Sequence, residues 1–314
     1  MSKTVRAHTN IALIKYWGKK DKELKIPTNS SISLTLDNFY TDTKVTYDSS
    51  LTKDEFYLDG KRVDDKVSAR VFKYMDVLRK EVDIPSYARI ESYNHVPKEA
   101  GLASSASAFA ALATAATLHL NLDEKTLSRL ARLGSGSASR SIYGDFVRWE
   151  RGDSHETSVA SPINMDPWPE FTMIACLVNE GVKPYGSSEA MDITARTSPY
   201  FDAWTHSSEE DGHLMTQALK DHDIWAVGKL AQTNAMKMHA SLLAVNMWYF
   251  EPSTIEIMNI IRELQKEIPV FFTMDAGPNV KLITIDEHVE KVMNALPEGL
   301  KTVVCHSGSG VSVL

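Results

Sequence analysis

A short segment rich in small and hydroxyl residues stands immediately before an alanine-rich, apolar stretch. It covers residues 97–107 (PKEAGLASSAS) and contains Gly101, Ser104, Ser105 and Ser107. Exposed N–H groups and the helix dipole make the N-terminus of a helix a binding site for anions such as phosphate. Serines at a helix start also act as N-caps without any ligand. The segment therefore predicts either a phosphate-binding loop or a capped helix.

A second segment of small residues covers positions 134–139 (GSGSAS) and is followed by Arg140. It lacks the third glycine of a dinucleotide-binding fingerprint and follows a helical pattern rather than a strand, which excludes the Rossmann class. The sequence contains no GxxxxGK[ST] motif, which excludes the P-loop NTPases. The planar guanidinium of Arg140 can bind a carboxylate or a phosphate through two parallel hydrogen bonds. The segment indicates a ligand-binding loop or, alternatively, a turn with a surface arginine.

Lysines are concentrated near the start of the chain. Five of them lie within eleven residues: Lys15, Lys19, Lys20, Lys22 and Lys25. A run of lysines is often only a solvated surface, but Tyr16 and Trp17 lie beside this one, and a tyrosine hydroxyl can donate to a phosphate oxygen. The alternative is therefore a cationic pocket for a phosphorylated ligand.

A carboxylate follows an apolar segment late in the chain. Residues 270–274 have the pattern of a buried strand, and Asp275 comes next, before the turn sequence AGPN. At the end of a strand, a carboxylate can protrude into a cleft and act as a general base or stabilise a developing positive charge. An aspartate that only shapes the turn is the alternative. The histidines His8, His95 and His239 lack the spacing of zinc ligands, so no zinc site is predicted.

The composition limits the class of protein. The 314 residues are 43% hydrophobic and 24% charged, which is ordinary for a globular protein. With 34 basic and 41 acidic residues the net charge is −7, which argues against a nucleic-acid or membrane partner. Two cysteines, Cys176 and Cys305, cannot form a disulfide framework, and the first residues lack the pattern of a signal peptide. A cytoplasmic protein is expected.

Strand patterns dominate up to about residue 95, helical patterns fill the middle of the chain, and strand patterns return after residue 270. Strands are expected at 31–36, 41–47, 88–93, 146–149, 156–160 and 171–178. This order predicts an α+β fold with two lobes and a boundary near residues 165–180, which is placed between residues 1–172 and 173–314. The first lobe would carry the phosphate loop and the second would carry Asp275.

The motifs together resemble one family. Segment 97–107 is similar to the phosphate loop of the GHMP kinase superfamily. Four more segments narrow the resemblance to the mevalonate diphosphate decarboxylases: AHTNIALIKYWGKK (7–20), PTNSSISLTL (27–36), LARLGSGSASRSIYG (130–144) and FFTMDAGPNVK (271–281). They occur in the order of that family, and the chain is identified as a member of it. The resemblance implies a two-lobed GHMP-kinase-like fold with a ferredoxin-like C-terminal lobe and a cleft between the lobes.

The resemblance also implies an activity. This is the ATP-dependent decarboxylation of mevalonate 5-diphosphate to isopentenyl diphosphate, ADP, phosphate and CO₂, with Mg²⁺ as the metal cofactor. A decarboxylase or kinase acting on mevalonate 5-phosphate, and an inactive nucleotide-binding relative, are the alternatives. The expected partners are the small-molecule substrate and a second copy in a homodimer.

Site residues are carried over from the family's motifs. Catalysis is assigned to Asp275 and Arg140, with Arg140 on the substrate carboxylate. Substrate contacts are assigned to Tyr16, Lys19, Lys20, Ser135, Gly136, Ser137, Arg140 and Ser187. ATP contacts are assigned to Gly101, Leu102, Ala103, Ser104, Ser105 and Ser107. The metal ligands are not assigned.

Two positions depart from the family's pattern. After Ser187 the family usually has arginine and then a Gly-Met pair two residues on, whereas this chain continues Ser188-Glu189-Ala190-Met191. The loop is therefore less cationic than expected. Asp145 stands where the family usually has a second glycine.

Overall fold

The computed structural model describes residues 2–96, 104–179 and 185–314. Its strands are β1 (Thr4–Ile14), β2 (Lys19–Asp21), β3 (Ile26–Pro27), β4 (Ser31–Tyr47), β5 (Glu55–Leu58), β6 (Lys61–Arg62), β7 (Ala88–Asn94), β8 (Phe146–Trp149), β9 (Ala160–Pro162), β10 (Phe171–Leu177), β11 (Phe271–Met274), β12 (Val280–Ile285), β13 (Lys301–Cys305) and β14 (Ser312–Val313). Its α-helices are α1 (Asp65–Glu81), α2 (Ser104–Thr117), α3 (Glu124–Gly134), α4 (Ser187–Thr197), α5 (Phe201–Lys220), α6 (Ile224–Leu243), α7 (Pro252–Leu264) and α8 (Val289–Ala295). A 3₁₀ segment covers Gly136–Ile142.

Local sequence explains where several elements begin and end. The carboxylates of Asp64, Asp123 and Asp223 accept backbone N–H groups at the starts of α1, α3 and α6, as N-caps do. The hairpin of β5 and β6 turns at Asp59 and Gly60, both of which have positive φ, the geometry of a tight two-residue turn.

The described residues form two large sheets and a small two-stranded sheet of β2 and β3. Of the two large sheets, the larger one has the order β14-β1-β4-β7-β5-β6, with β8 and β9 branching from β4, and α2 packs on β1 and β4. The smaller one is antiparallel in the order β11-β12-β10-β13. Helix α6 covers one face of the smaller sheet, and α7 and α8 pack on the other through Ile257, Ile261 and Val292. The predicted α+β, two-lobed architecture is confirmed.

The two sheets share an apolar core. Ile11 and Leu34 of the larger sheet belong to the same buried cluster as Phe171 and Ile283 of the smaller one. The last strand, β14, also pairs antiparallel with the first strand, β1. The lobes therefore pack directly against each other, and this packing fixes the relative positions of the strand ends and helices at their boundary.

One predicted strand is wrong. Residues 156–160 were expected to be a strand, but only Ala160 of that segment belongs to one. The hydroxyl of Thr157 accepts the N–H groups of Asp153 and Ser154, and this local bonding holds the preceding residues in turns. The two strands expected at 31–36 and 41–47 are a single long strand, β4.

The unusual Asp145 has a structural explanation. Its φ is +55°, in the left-handed region that glycine adopts without strain and aspartate tolerates better than most residues. Its carboxylate accepts a hydrogen bond from the hydroxyl of Ser307, near the chain end that returns to the first sheet. Aspartate thus replaces a glycine at a backbone position that requires positive φ.

None of the helices that the structure describes is both long enough and apolar enough to cross a bilayer.

Candidate active site

A cavity of about 650 Å³ lies where the ends of β1 and β11 meet the 3₁₀ segment and the start of α4. Among the described residues, its charged lining comprises six cationic side chains (Lys15, Lys19, Lys22, Lys25, Arg70 and Arg140) and two acidic ones (Asp192 and Asp275). Such an excess of positive charge attracts anions with several charges. The cavity therefore suits a ligand with phosphate and carboxylate groups.

At one wall of the cavity, Asp275 lies between two buried lysines. Lys15 Nζ lies 2.7 Å from Oδ1 of Asp275, and Lys281 Nζ lies 3.5 Å from Oδ2. The carboxylate retains 23% exposure, whereas the two lysine side chains have 2% and 1%. Burial lowers the pKa of Lys15 to about 8, against the opposing effect of Asp275. Asp275 is therefore a carboxylate that faces the cavity and forms ion pairs with two buried lysines.

Buried amides fix the backbone from which Lys15 projects. The N–H of Lys15 donates to Asn234 Oδ1 at 2.8 Å, and its carbonyl accepts from Asn29 Nδ2 at 2.7 Å. Asn234 belongs to α6, so this bond joins the end of β1 to the helix that covers the second sheet. The lysine is thereby placed by contacts from both lobes.

Arg140 lies in the 3₁₀ segment with 2% exposure. Its guanidinium donates to Oδ1 of Asn10 and to the hydroxyls of Ser31 and Ser33. Burial lowers its pKa to about 10, so the group is still cationic at neutral pH. Its hydrogen-bond partners among the described residues are all neutral. A buried guanidinium with neutral partners that faces a cavity is suited to bind the anionic group of a ligand.

The Tyr16 hydroxyl is buried and has no hydrogen-bond partner in the part of the chain that the structure describes. Burial raises its pKa, so the phenol keeps its proton and remains a donor. The ring packs edge-to-face on Trp149, with 4.8 Å between centroids. A methyl group on Gly136 would lie 2.8 Å from the Tyr16 ring, so only glycine fits there. An unpartnered buried donor at a cavity wall indicates an acceptor on the ligand.

Three serine hydroxyls form a row that connects α2 to the segment after α3. Ser135 Oγ lies 3.2 Å from Ser105 Oγ and 3.3 Å from Ser137 Oγ, and all three residues line the cavity. Hydroxyls donate as well as accept, so the row can turn its protons towards phosphate or carboxylate oxygens. The predicted ATP residue Ser105 and the predicted substrate residues Ser135, Gly136 and Ser137 thus come together.

Lys19 and Lys20 are separated by the pleat of β2. Side chains alternate along a strand, so the two point to opposite sides. Lys19 lines the cavity and contacts Ser188 Oγ at 2.5 Å, beside Ser187, which also lines it. Lys20 is not in the lining; its ammonium pairs with the exposed Asp153 at 3.0 Å and is itself 59% exposed. The structure therefore brings Lys19 and Ser187, but not Lys20, to the predicted site.

The serines at the start of α2 also differ in whether they line a cavity. Ser107 is fully buried, and its hydroxyl lies 2.8 Å from Thr41 Oγ1 of β4 and donates to the carbonyl of Ser104 at 3.2 Å. It joins the helix to the sheet instead of facing the cavity. Gly101, Leu102 and Ala103 lie outside the described residues.

A second cavity, of about 250 Å³, adjoins the first, with which it shares Ser105 and Arg70. Ser104 also lines it. Its apolar lining consists of Phe56, Leu58, Val71, Ala108, Phe109 and Leu112. It has the size and character of a site for a planar, partly apolar ring.

Several cavity residues were not assigned from the sequence. The charged ones are Lys15, Lys22, Lys25, Arg70 and Asp192 in the lining and Lys281 behind Asp275. Lys15, Lys22 and Lys25 could have been found from the sequence, since they belong to the lysine cluster near the start of the chain. Lys281 could also have been found, since it is the last residue of the motif FFTMDAGPNVK (271–281). Arg70 and Asp192 reach the site only through the packing of α1 and α4, and no local pattern marks them.

Comparisons with known proteins identify the family. Residues 7–160 match the model of the diphosphomevalonate decarboxylase-like N-terminal domain, and residues 173–307 match that of the mevalonate 5-diphosphate decarboxylase C-terminal domain. The diphosphomevalonate decarboxylase of Ganoderma lucidum is 34% identical, over 93% of this chain and 80% of the relative. The chain belongs to the diphosphomevalonate decarboxylase family.

The predicted resemblance and enzyme class are thus confirmed, since the family consists of decarboxylases, which are carbon–carbon lyases. A solved structure of MDDEF in complex with MVAPP, AMPPCP and magnesium superimposes with a TM-score of 0.94 at 42% identity, over 100% of this chain and 99% of that one. The phosphomevalonate decarboxylase of Haloferax volcanii is 30% identical over 100% of this chain and 98% of the relative.

Proposed function

We propose that this member of the diphosphomevalonate decarboxylase family converts mevalonate 5-diphosphate and ATP into isopentenyl diphosphate, ADP, phosphate and CO₂. One observation carries the proposal: the Asp275 carboxylate lies against Lys15 and Lys281 at the wall of a strongly cationic cavity. The cations suit the diphosphate and the nucleotide, and the carboxylate supplies the negative charge that the reaction centre needs.

Asp275 stabilises the reaction centre as an anion. Phosphorylation of the tertiary hydroxyl turns a poor leaving group into a good one, and departure of phosphate develops positive charge at the tertiary carbon. A fixed carboxylate beside that carbon lowers the energy of the transition state. Two ammonium groups next to Asp275 favour its ionised form and weaken it as a base, which supports the electrostatic role over general-base catalysis.

Arg140 binds the substrate carboxylate until it is lost as CO₂. Its planar fork matches a carboxylate, and its neutral partners leave its charge available to the ligand. Ser135 and Ser137 provide hydroxyl contacts around the same end of the substrate, and Gly136 allows its backbone to approach. The diphosphate lies on Tyr16 and Lys19, and Ser187 contacts a phosphate near the start of α4.

The nucleotide lies with its phosphates near Ser105 and its adenosine in the second, apolar cavity. Binding of AMPPCP and magnesium by the related MDDEF supports ATP and Mg²⁺ as the cofactors. Ser105 lines both cavities and would be a protein contact of a Mg²⁺ whose other ligands would be substrate phosphates and water. When bound, the metal neutralises phosphate charge.

The remaining assignments belong to the same proposal. The lobes are divided at residue 172, the enzyme acts as a homodimer, and it works in the cytoplasm.

The test is to incubate the protein with ATP and mevalonate, mevalonate 5-phosphate or mevalonate 5-diphosphate and to follow ADP and CO₂. We expect stoichiometric ADP and CO₂ from the diphosphate alone. Equal turnover of the monophosphate would favour the activity of the Haloferax volcanii relative, and ADP without CO₂ would indicate a kinase. A protein that releases neither product would be an inactive relative.

A further inference from the structure

Two carboxylates line the cavity among the described residues, and the proposed chemistry uses only one of them, Asp275. Asp192 lines the cavity and pairs with Lys22 at 2.9 Å and with Lys19 at 4.0 Å. These are two of the lysines nearest to α4, and Lys19 is a proposed contact of the diphosphate. The carboxylate of Asp192 therefore pairs with ammonium groups to which a substrate phosphate could otherwise bind.

The position of Asp192 is fixed by its helix. Ser188 and Asp192 are four residues apart in α4 and therefore lie on one face, and both contact Lys19. The helix is anchored to the segment before β2 by Trp17, whose indole donates to Thr194 Oγ1 at 3.1 Å. Met191 is buried in the same apolar cluster as Trp17. The carboxylate is thus held at the cavity rather than free on the surface.

We propose that Asp192 sets the affinity and charge selectivity of the diphosphate site, because phosphate oxygens of the substrate must displace its carboxylate from Lys19 and Lys22. This inference rests on the proposed function. Exchange of a carboxylate, with one negative charge, for a terminal phosphate, with nearly two, gains attraction to both ammonium groups. Exchange for a singly charged group gains nothing. Asp192 therefore excludes singly charged anions and also weakens the binding of the correct substrate.

Asp153 provides a matched control. Like Asp192, it is an aspartate paired with a lysine of the β2 segment, in this case Lys20 at 3.0 Å. Its side chain is 85% exposed and does not line the cavity. Removal of its charge changes the net charge of the protein equally but leaves the cavity lining unchanged.

The experiment is calorimetric titration of the full-length protein with mevalonate 5-diphosphate, without nucleotide, at low and at high salt. We expect Asp192→Asn to bind about five times more tightly than wild type at low salt, with a smaller difference at high salt because salt screens partly exposed charges. Asp192→Glu and Asp153→Asn should match wild type. In turnover with ATP, Asp192→Asn should lower KM and leave kcat unchanged. If Asp192→Asn folds poorly, Asp192→Ser replaces it.

Unchanged or weaker binding by Asp192→Asn would overturn the inference, and weaker binding would show that Asp192 holds the lysines in place. An equal gain in Asp153→Asn would also overturn it, because the effect would then come from net charge. Failure of the proposed function has a different signature: wild type would release no CO₂ from the diphosphate with ATP, whatever Asp192→Asn does in the titration.

Discussion

The ammonium nitrogen of Lys15 lies 2.7 Å from Oδ1 of Asp275, although the two residues are 260 positions apart in the chain. Lys15 follows the last residue of β1, and Asp275 follows the last residue of β11. The contact therefore exists only when the two lobes are packed together. It joins the lysine-rich start of the chain to the aspartate that the proposed chemistry requires.

The buried charge of Lys15 should make stability depend on pH. Its pKa is about 8 in the folded protein and 10.5 in the unfolded chain, so between these values the unfolded state binds more protons. The contribution of Lys15 to stability therefore rises with pH in this window, by at most about 1.4 kcal/mol per pH unit. In denaturant titrations, wild type should gain roughly 1–2 kcal/mol over Lys15→Met between pH 8 and 9.5. A difference that stays constant over this range would show that Lys15 is not a buried, titrating group.

The alternation along β2 predicts different roles for adjacent lysines. Lys19→Ala should raise KM for mevalonate 5-diphosphate about tenfold or more, the usual effect of losing a hydrogen bond to a charged group. Lys20→Ala should stay within about twofold of wild type, because its ammonium contacts Asp153 on the surface. Steady-state kinetics of the two variants measure this. Equal losses would mean that both lysines reach the substrate.

Substitution of Ser105 and of Ser107, both near the start of α2, should also have different effects. Ser105→Ala should raise KM for ATP with little change in melting temperature, because its hydroxyl faces both cavities. Ser107→Ala should leave KM for ATP near wild type and lower the melting temperature by about 2–4 °C, because it loses the contact with Thr41. Thermal unfolding and ATP kinetics of both variants provide the comparison. A large rise in KM for Ser107→Ala with an unchanged melting temperature would place that hydroxyl on the nucleotide.

The sequence was sufficient for features encoded locally. Asp275 and Arg140 lie inside continuous motifs, and the strand pattern before Asp275 already indicated that it would emerge at a strand end. The direction in which an individual side chain points was harder to predict. Lys20 and Ser107 share their motifs with residues that line the cavity, but strand alternation turns Lys20 outward and helix phase turns Ser107 into the sheet.

Contributions from distant elements could not be predicted from local patterns. Arg70 and Asp192 belong to the helices α1 and α4, whose positions depend on the packing of the fold, and neither residue lies in a motif. The role of Asp145 depended on a backbone angle, φ +55°, that the residue type alone does not reveal.

The most direct measurement of the central claim is product analysis for Asp275→Asn, with ADP, CO₂ and 3-phosphorylated substrate followed in the same reaction. Asparagine keeps the shape of aspartate but not its charge, so ATP and mevalonate 5-diphosphate should still bind while CO₂ release falls by at least about two orders of magnitude. Because Asp275 is proposed to act as an anion after phosphoryl transfer, ADP and 3-phosphorylated substrate should accumulate without matching CO₂. Equal loss of ADP and CO₂ would instead make Asp275 the general base. Near-normal CO₂ release would contradict the account and remove Asp275 from the mechanism.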